Sequence, residues 1–176
     1  MSKTITINLK KSLIYEAVKA ETFDKGRIDK TADPVSNAPA AMSEQAGGET
    51  HQERMLLRFL KAAVGIFEAQ MGEFLDAANG SISNTLSATG DDFTIVMVVN
   101  DRYHNGMASP MQSLCEDFLI SQMLFKWWNG RNQEFSKNYV HSAQDDINNI
   151  RLCLIKSAPA ASSVDYTDVT GQVTQN

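Results

Sequence analysis

The run Asn100-Asp101-Arg102-Tyr103-His104-Asn105-Gly106 gathers a carboxylate, a guanidinium, a phenol and an imidazole, the side-chain types that proton transfer uses. No nucleophile, glycine-rich phosphate cradle or second acidic cluster accompanies it, so the run reads as a loop displaying polar groups to water or to a partner. Tyr103 is thereby a candidate interface residue. The close carboxylates are the doublets Asp91-Asp92 and Asp145-Asp146. Turn chemistry explains the first, since Asp accepts hydrogen bonds from the backbone of its own turn. Neighbours on a helix diverge by about 100° and cannot jointly clamp one ion, so the second reads as a solvated face.

His51, His104 and His141 fall on a capping turn, a polar loop and a helix, with no partner at metal-ligand spacing. Phosphate-loop, dinucleotide, zinc and hydrolase-elbow patterns are absent. The expectation is a protein with no catalytic residue, no metal and no cofactor. Cys115 and Cys153 lie far apart inside apolar helical patterns. They suit two reduced core thiols in a cytosol, with a disulfide as the second alternative.

Elements must hold these groups, and the 176 residues, 43% hydrophobic and 21% charged, suffice for one core. A net charge of −5 gives a field that repels nucleic acid and anionic membrane. The apolar runs are broken by charge before the ~18 residues of a membrane span, so neither membrane nor sequence-specific nucleic acid is an expected partner. Residues 1–30 nevertheless carry seven Lys and Arg against four Asp and Glu, and the rest is acidic, so contacts between the two regions of different subunits are open.

Thr4–Leu9 alternates apolar and polar residues like a strand, unlike the continuous apolar run of a secretory leader. Ser12 is an expected N-cap for a helix over 12–22. Residues 31–49 hold two prolines and two glycines with almost no large apolar side chain, which predicts a flexible linker. Thr50-His51-Gln52-Glu53 forms a capping box, opening a long helix whose apolar stripe runs from Leu56 to Ala78 and stops at Asn79-Gly80. Thr85–Thr89 and Phe93–Val99 around Gly90-Asp91-Asp92 predict a hairpin, the second arm being the central strand. Ser109-Pro110 signals a helix over 110–129, ended by Asn129-Gly130, and Phe135 to Leu154 another. The four-residue link between them favours an antiparallel pair.

The predicted fold is α+β and mainly helical: about four helices, a small antiparallel hairpin or sheet, one domain over 1–156 interrupted by the linker, and an extended tail over 157–176. Trp127 and Trp128 point about 100° apart on their helix, so if one fills the core the other tends to an edge as an interface anchor, the alternative being that both rings pack in part against the following helix. In the tail, Val164 and Tyr166 fall on one side of an extended chain. They are candidates for strand addition to an exposed edge such as Thr85–Thr89.

The order Thr-Ile-Thr-Ile-Asn-Leu strand, Tyr15-Glu16-Ala17-Val18 helix, linker, long helix from Arg54-Met55-Leu56-Leu57-Arg58-Phe59, hairpin, and helix pair bearing Lys126-Trp127-Trp128 resembles structural proteins of tailed phages and prophages of Bacteroides-type bacteria. The resemblance covers residues 3–156 and is architectural. It implies a head–tail connector or tail-completion subunit of the virion, assembled in the host cytoplasm. Such a subunit would form a homo-oligomeric ring that contacts portal or tail proteins. A small cytoplasmic binding or regulatory module is the second reading.

Overall fold

Alternation places Ile5, Ile7 and Leu9 on the inner side of strand β1 (Ser2–Lys10) and exposes Thr4, Thr6, Asn8 and Lys10. The computed structural model describes residues 2–28, 50–75 and 90–155. After β1 come helices α1 (Lys11–Ile28) and α2 (Thr50–Met71), strand β2 (Asp92–Asn100), a 3-10 turn (Asn105–Met107), and helices α3 (Ala108–Trp128) and α4 (Gln133–Ile155). The fold is α+β, with four helices and a small antiparallel sheet among the described residues. Residues 31–49, the arm Thr85–Thr89, the stop at Asn79-Gly80 and the tail with Val164 and Tyr166 lie outside the described residues.

β2 is the expected second arm, and its partner is β1, in one-to-one antiparallel register from Ser2 opposite Asn100 to Lys10 opposite Asp92. On its other edge Leu75 bridges Met97 and the Val98 amide donates to the Phe74 carbonyl at 2.7 Å. β2 is thus central among the described residues. Its Phe93, Ile95, Met97 and Val99 face the core.

Two helix boundaries differ from expectation. Ser12 does not cap α1. The Asp91 carboxylate does, accepting the Ser12 amide at 2.7 Å and its hydroxyl at 2.8 Å, while the Asp91 carbonyl accepts the Lys11 amide at 2.9 Å. Asp91 therefore serves a distant helix start, while Asp92 opens β2. α1 continues to Ile28, past the predicted end, with Thr22 buried and Lys25 lying 5.5 Å from the centre of the Phe135 ring. α2 opens at Thr50 as expected but ends at Met71, because Phe74 and Leu75 leave the helical path to meet β2.

α3 is the interior helix, burying Met111, Cys115, Phe118, Leu119, Met123, Leu124, Trp127 and Trp128. Ser109 is not its cap: Met107 stands at that position without a side-chain bond, and Pro110 sits in the first turn, where a missing amide costs little. Phe118 meets Phe67 of α2 edge-on at 5.6 Å, and Trp128 meets Phe135 of α4 at 5.1 Å. The link to α4 turns at Gly130, whose φ of +89° favours glycine. Asn132 then caps α4, its Oδ1 accepting the amides of Glu134 and Phe135 at 3.0 and 3.1 Å. With Trp128 on Phe135 at one end and Leu114 beside Cys153 at the other, the pair is antiparallel, as predicted.

Removing the local cap by Asn132→Ala is expected to cost about 1 kcal/mol in chemical denaturation. Asp91→Ala is expected to lower the melting temperature at neutral pH. Its bonds to Ser12 hold the Asp91 carboxyl below its ordinary pKa, so this stability is present above the unfolded value and is lost as pH falls through the folded one. The deficit should therefore shrink in acid, and a deficit equal at both pH values would contradict the assignment.

Candidate functional site

Within the polar loop, Asn100 Oδ1 accepts the Arg102 amide at 3.0 Å and the Asn100 carbonyl accepts the Tyr103 amide at 2.9 Å. These bonds turn the chain so that Asp101, Arg102 and His104 face solvent, whereas Tyr103 packs inward and is only 4% exposed. His104 Nδ1 accepts the Gly106 amide at 3.1 Å and so caps the 3-10 turn. A Cβ at Gly106 would stand 2.8 Å from the His104 ring, which explains the glycine. Lys3 Nζ donates to Asn105 Oδ1, tying the loop to β1. Tyr103 is thus parted from the other three chemically able side chains.

The expected interface residues are distributed differently. Trp127 and Trp128 are each 1% exposed, so neither ring turns to an edge. Trp128 fills the elbow against Phe135, and the Arg131 guanidinium covers Trp127 at 4.4 Å. Both directions therefore lead inward from the end of α3. Tyr103 is buried too, its hydroxyl unpartnered among the described residues.

A cleft of about 420 Å³ between α1, α3 and α4 brings carboxyl and hydroxyl groups of three helices together and was not foreseen. Glu21, Asp117, Ser121, Tyr139, Ser142 and Asp146 line it. The Tyr139 hydroxyl donates to Glu21 Oε1 at 2.7 Å; burial first, and then this bond, push its pKa up. Burial, then Asp117 and Asp145, push the Asp146 carboxyl up from 3.8 to about 6, against a hydrogen bond from Ser121. Asp146 is therefore not part of a solvated face, although Asp145 is exposed. A signal was present: Asp117 with Ser121 and Ser142 with Asp146 are spaced four apart on two antiparallel helices. Chemically, the cleft offers a carboxyl that exchanges its proton near pH 6, with hydroxyl neighbours.

No family model matches this chain, and no curated protein or solved structure is similar to it. Fold and chemistry therefore carry the reading. Among the described residues, no group of three or more His, Cys, Asp and Glu is arranged to hold a metal ion, and no helix is long and apolar enough to cross a membrane. Both cysteines are free, and burial, then Glu116 and Cys153, push the Cys115 thiol up to about 12. His51 lies in the first turn of α2 and His141 on the exposed side of α4.

The raised Asp146 pKa makes a pH-dependent prediction. The folded form binds this proton more tightly than the unfolded chain, so the contribution is most favourable below the ordinary pKa of 3.8 and is lost as pH rises through about 6. Asp146→Asn is expected to stabilise the protein near neutral pH by about 1 kcal/mol, after discounting for solvent screening of a half-buried group. Thermal melts should show that gain vanishing in acid. A variant no more stable than the parent at neutral pH would contradict the strained-carboxyl account.

Proposed function

We propose that this chain is a non-catalytic structural subunit of a larger assembly, specifically a neck or tail-completion protein of a tailed phage that associates into a ring with portal or tail proteins. The carrying observation is an apolar patch at the end of α4. Leu152 and Ile155 are 58% and 64% exposed, and with Leu114, Asn149 and Cys153 they border a groove of about 560 Å³. Side chains of this size cost free energy when left in water, roughly 25 cal/mol per Å² of apolar surface, and covering them with a neighbouring subunit recovers it. The order of elements, with its resemblance to phage connector proteins, gives the assembly its kind. The location follows from the same reading: the virion, after assembly in the host cytoplasm.

A second reading, a small binding or regulatory module, draws support from a different groove. Lys11, Ser12, Tyr15, Glu53, Arg54, Leu57 and Asp91 line about 350 Å³ of mixed polarity beside the α1 start, large enough for a small ligand. The patch on α4 favours assembly because it is more apolar and more exposed.

The test replaces Leu152 and Ile155 together by Glu and follows self-association by sedimentation and native mass spectrometry, alone and with the portal protein of the same particle. The expected result is at least ten-fold weaker association. The melting temperature should move only slightly, since exposed substitutions change stability by about 0.5 kcal/mol or less. Unimpaired assembly of the double variant would remove the patch from the account. A parent chain monomeric at every concentration, with portal present, would overturn the assembly reading itself.

A further inference from the structure

Among the described residues, the sheet ends on an open edge. β1 has nine residues and, among the described residues, pairs only with β2 in a two-stranded sheet. Since the Val98 amide points away from β1 to Phe74, the alternation of an antiparallel ladder assigns the β1–β2 bonds to Lys3, Ile5, Ile7 and Leu9. Thr4, Thr6 and Asn8 therefore aim amide and carbonyl at the free edge, with their side chains exposed. Proteins commonly blunt such an edge with a proline, a bulge, a very short strand or charged side chains, above all lysine; the lysines of β1, Lys3 and Lys10, stand only towards its two ends. β1 contains no proline, and its register with β2 runs without a bulge. Long, regular edges of this kind accept a further strand.

We propose that this edge receives the C-terminal segment Val164–Thr170 of a second copy as a third strand. Charge selects the occupant. β1 carries Lys3 and Lys10 and no acidic residue, whereas residues 157–176 carry Asp165 and Asp168 and no Lys or Arg. Antiparallel pairing of two β1 edges would instead bring the lysines of both copies together at each end, a like-charge arrangement that costs stability. Composition agrees: Val164, Tyr166, Thr167, Val169 and Thr170 are β-branched or aromatic, and no proline or glycine interrupts 164–170. Nine steps of chain from Ile155 to Val164 span about 30 Å when extended, enough to reach a neighbour. This inference rests on the assembly reading and specifies its contact.

Hydrogen exchange by NMR on the full chain resolves the question amide by amide. In dilute parent protein, Thr4, Thr6 and Asn8 should exchange fast and Ile5, Ile7 and Leu9 slowly. Concentrating the protein should slow the first three at least ten-fold, and Tyr166→Pro should abolish that slowing. Thr6→Pro removes only an edge amide and leaves the ladder to β2. Mixed with the Tyr166→Pro chain, which keeps its edge, it should supply the tail and restore protection to that partner.

A peptide of residues 160–174 added to full-length Tyr166→Pro protein separates this proposal from the assembly reading. Protection of Thr4, Thr6 and Asn8 by this peptide but not by a scrambled one supports the edge as receptor whether or not rings form. No protection overturns the proposal even if the protein assembles. Protection of the dilute parent chain that is independent of concentration would mean that the tail folds back on its own edge, and would overturn addition between copies.

Discussion

α3 sends side chains inward in nearly every direction, and this burial is the constraint the rest of the structure answers. A helix with Cys115, Phe118, Leu119, Met123, Leu124 and two tryptophans enclosed needs a wall on each side. α2 supplies one through Phe67, α4 another through Phe135, Ile147 and Ile150, and α1 and β1 complete the enclosure. Fully burying one large apolar side chain is worth about 1.5–3 kcal/mol, so the enclosure outweighs any single cap or turn.

Local signals were legible where one residue type has one physical use. The β1 alternation, the helix start at Thr50 and the Asn129-Gly130 stop all match, because strand faces, helix starts and left-handed turns admit few alternatives. What failed depended on groups distant in sequence. Ser12 carries the side chain of a cap, yet Asp91 fills that place, and nothing near Ser12 announces it. Phe74 and Leu75 extend the α2 stripe in composition but not in structure, since apolar periodicity does not say whether a helix or a sheet buries a residue. Likewise the composition of β2 marks a strand without naming its partner.

The candidate site was the least legible part. The polar loop holds the residue types of acid–base work side by side and reads as a display of polar groups; Asp101, Arg102 and His104 do face solvent, but Tyr103 is buried. The cleft of Glu21, Asp117, Tyr139 and Asp146 is assembled from three helices, so it emerges only once their packing is known. The tryptophans teach the same lesson in reverse: adjacent large rings suggested an exposed anchor, and an interior helix took both. Leu152 and Ile155, the most exposed of the large apolar side chains described, lie at the end of α4 instead.

If α3 is the common wall, sheet and helices are stable only together. Both tryptophans lie on α3, so their fluorescence reports its enclosure, while far-UV circular dichroism reports all four helices. Guanidinium unfolding followed by both signals should give one transition with the same midpoint and slope. Tryptophan exposure at lower denaturant than the loss of helix would mean that the enclosure of α3 opens separately, and would contradict the dependence of the fold on it.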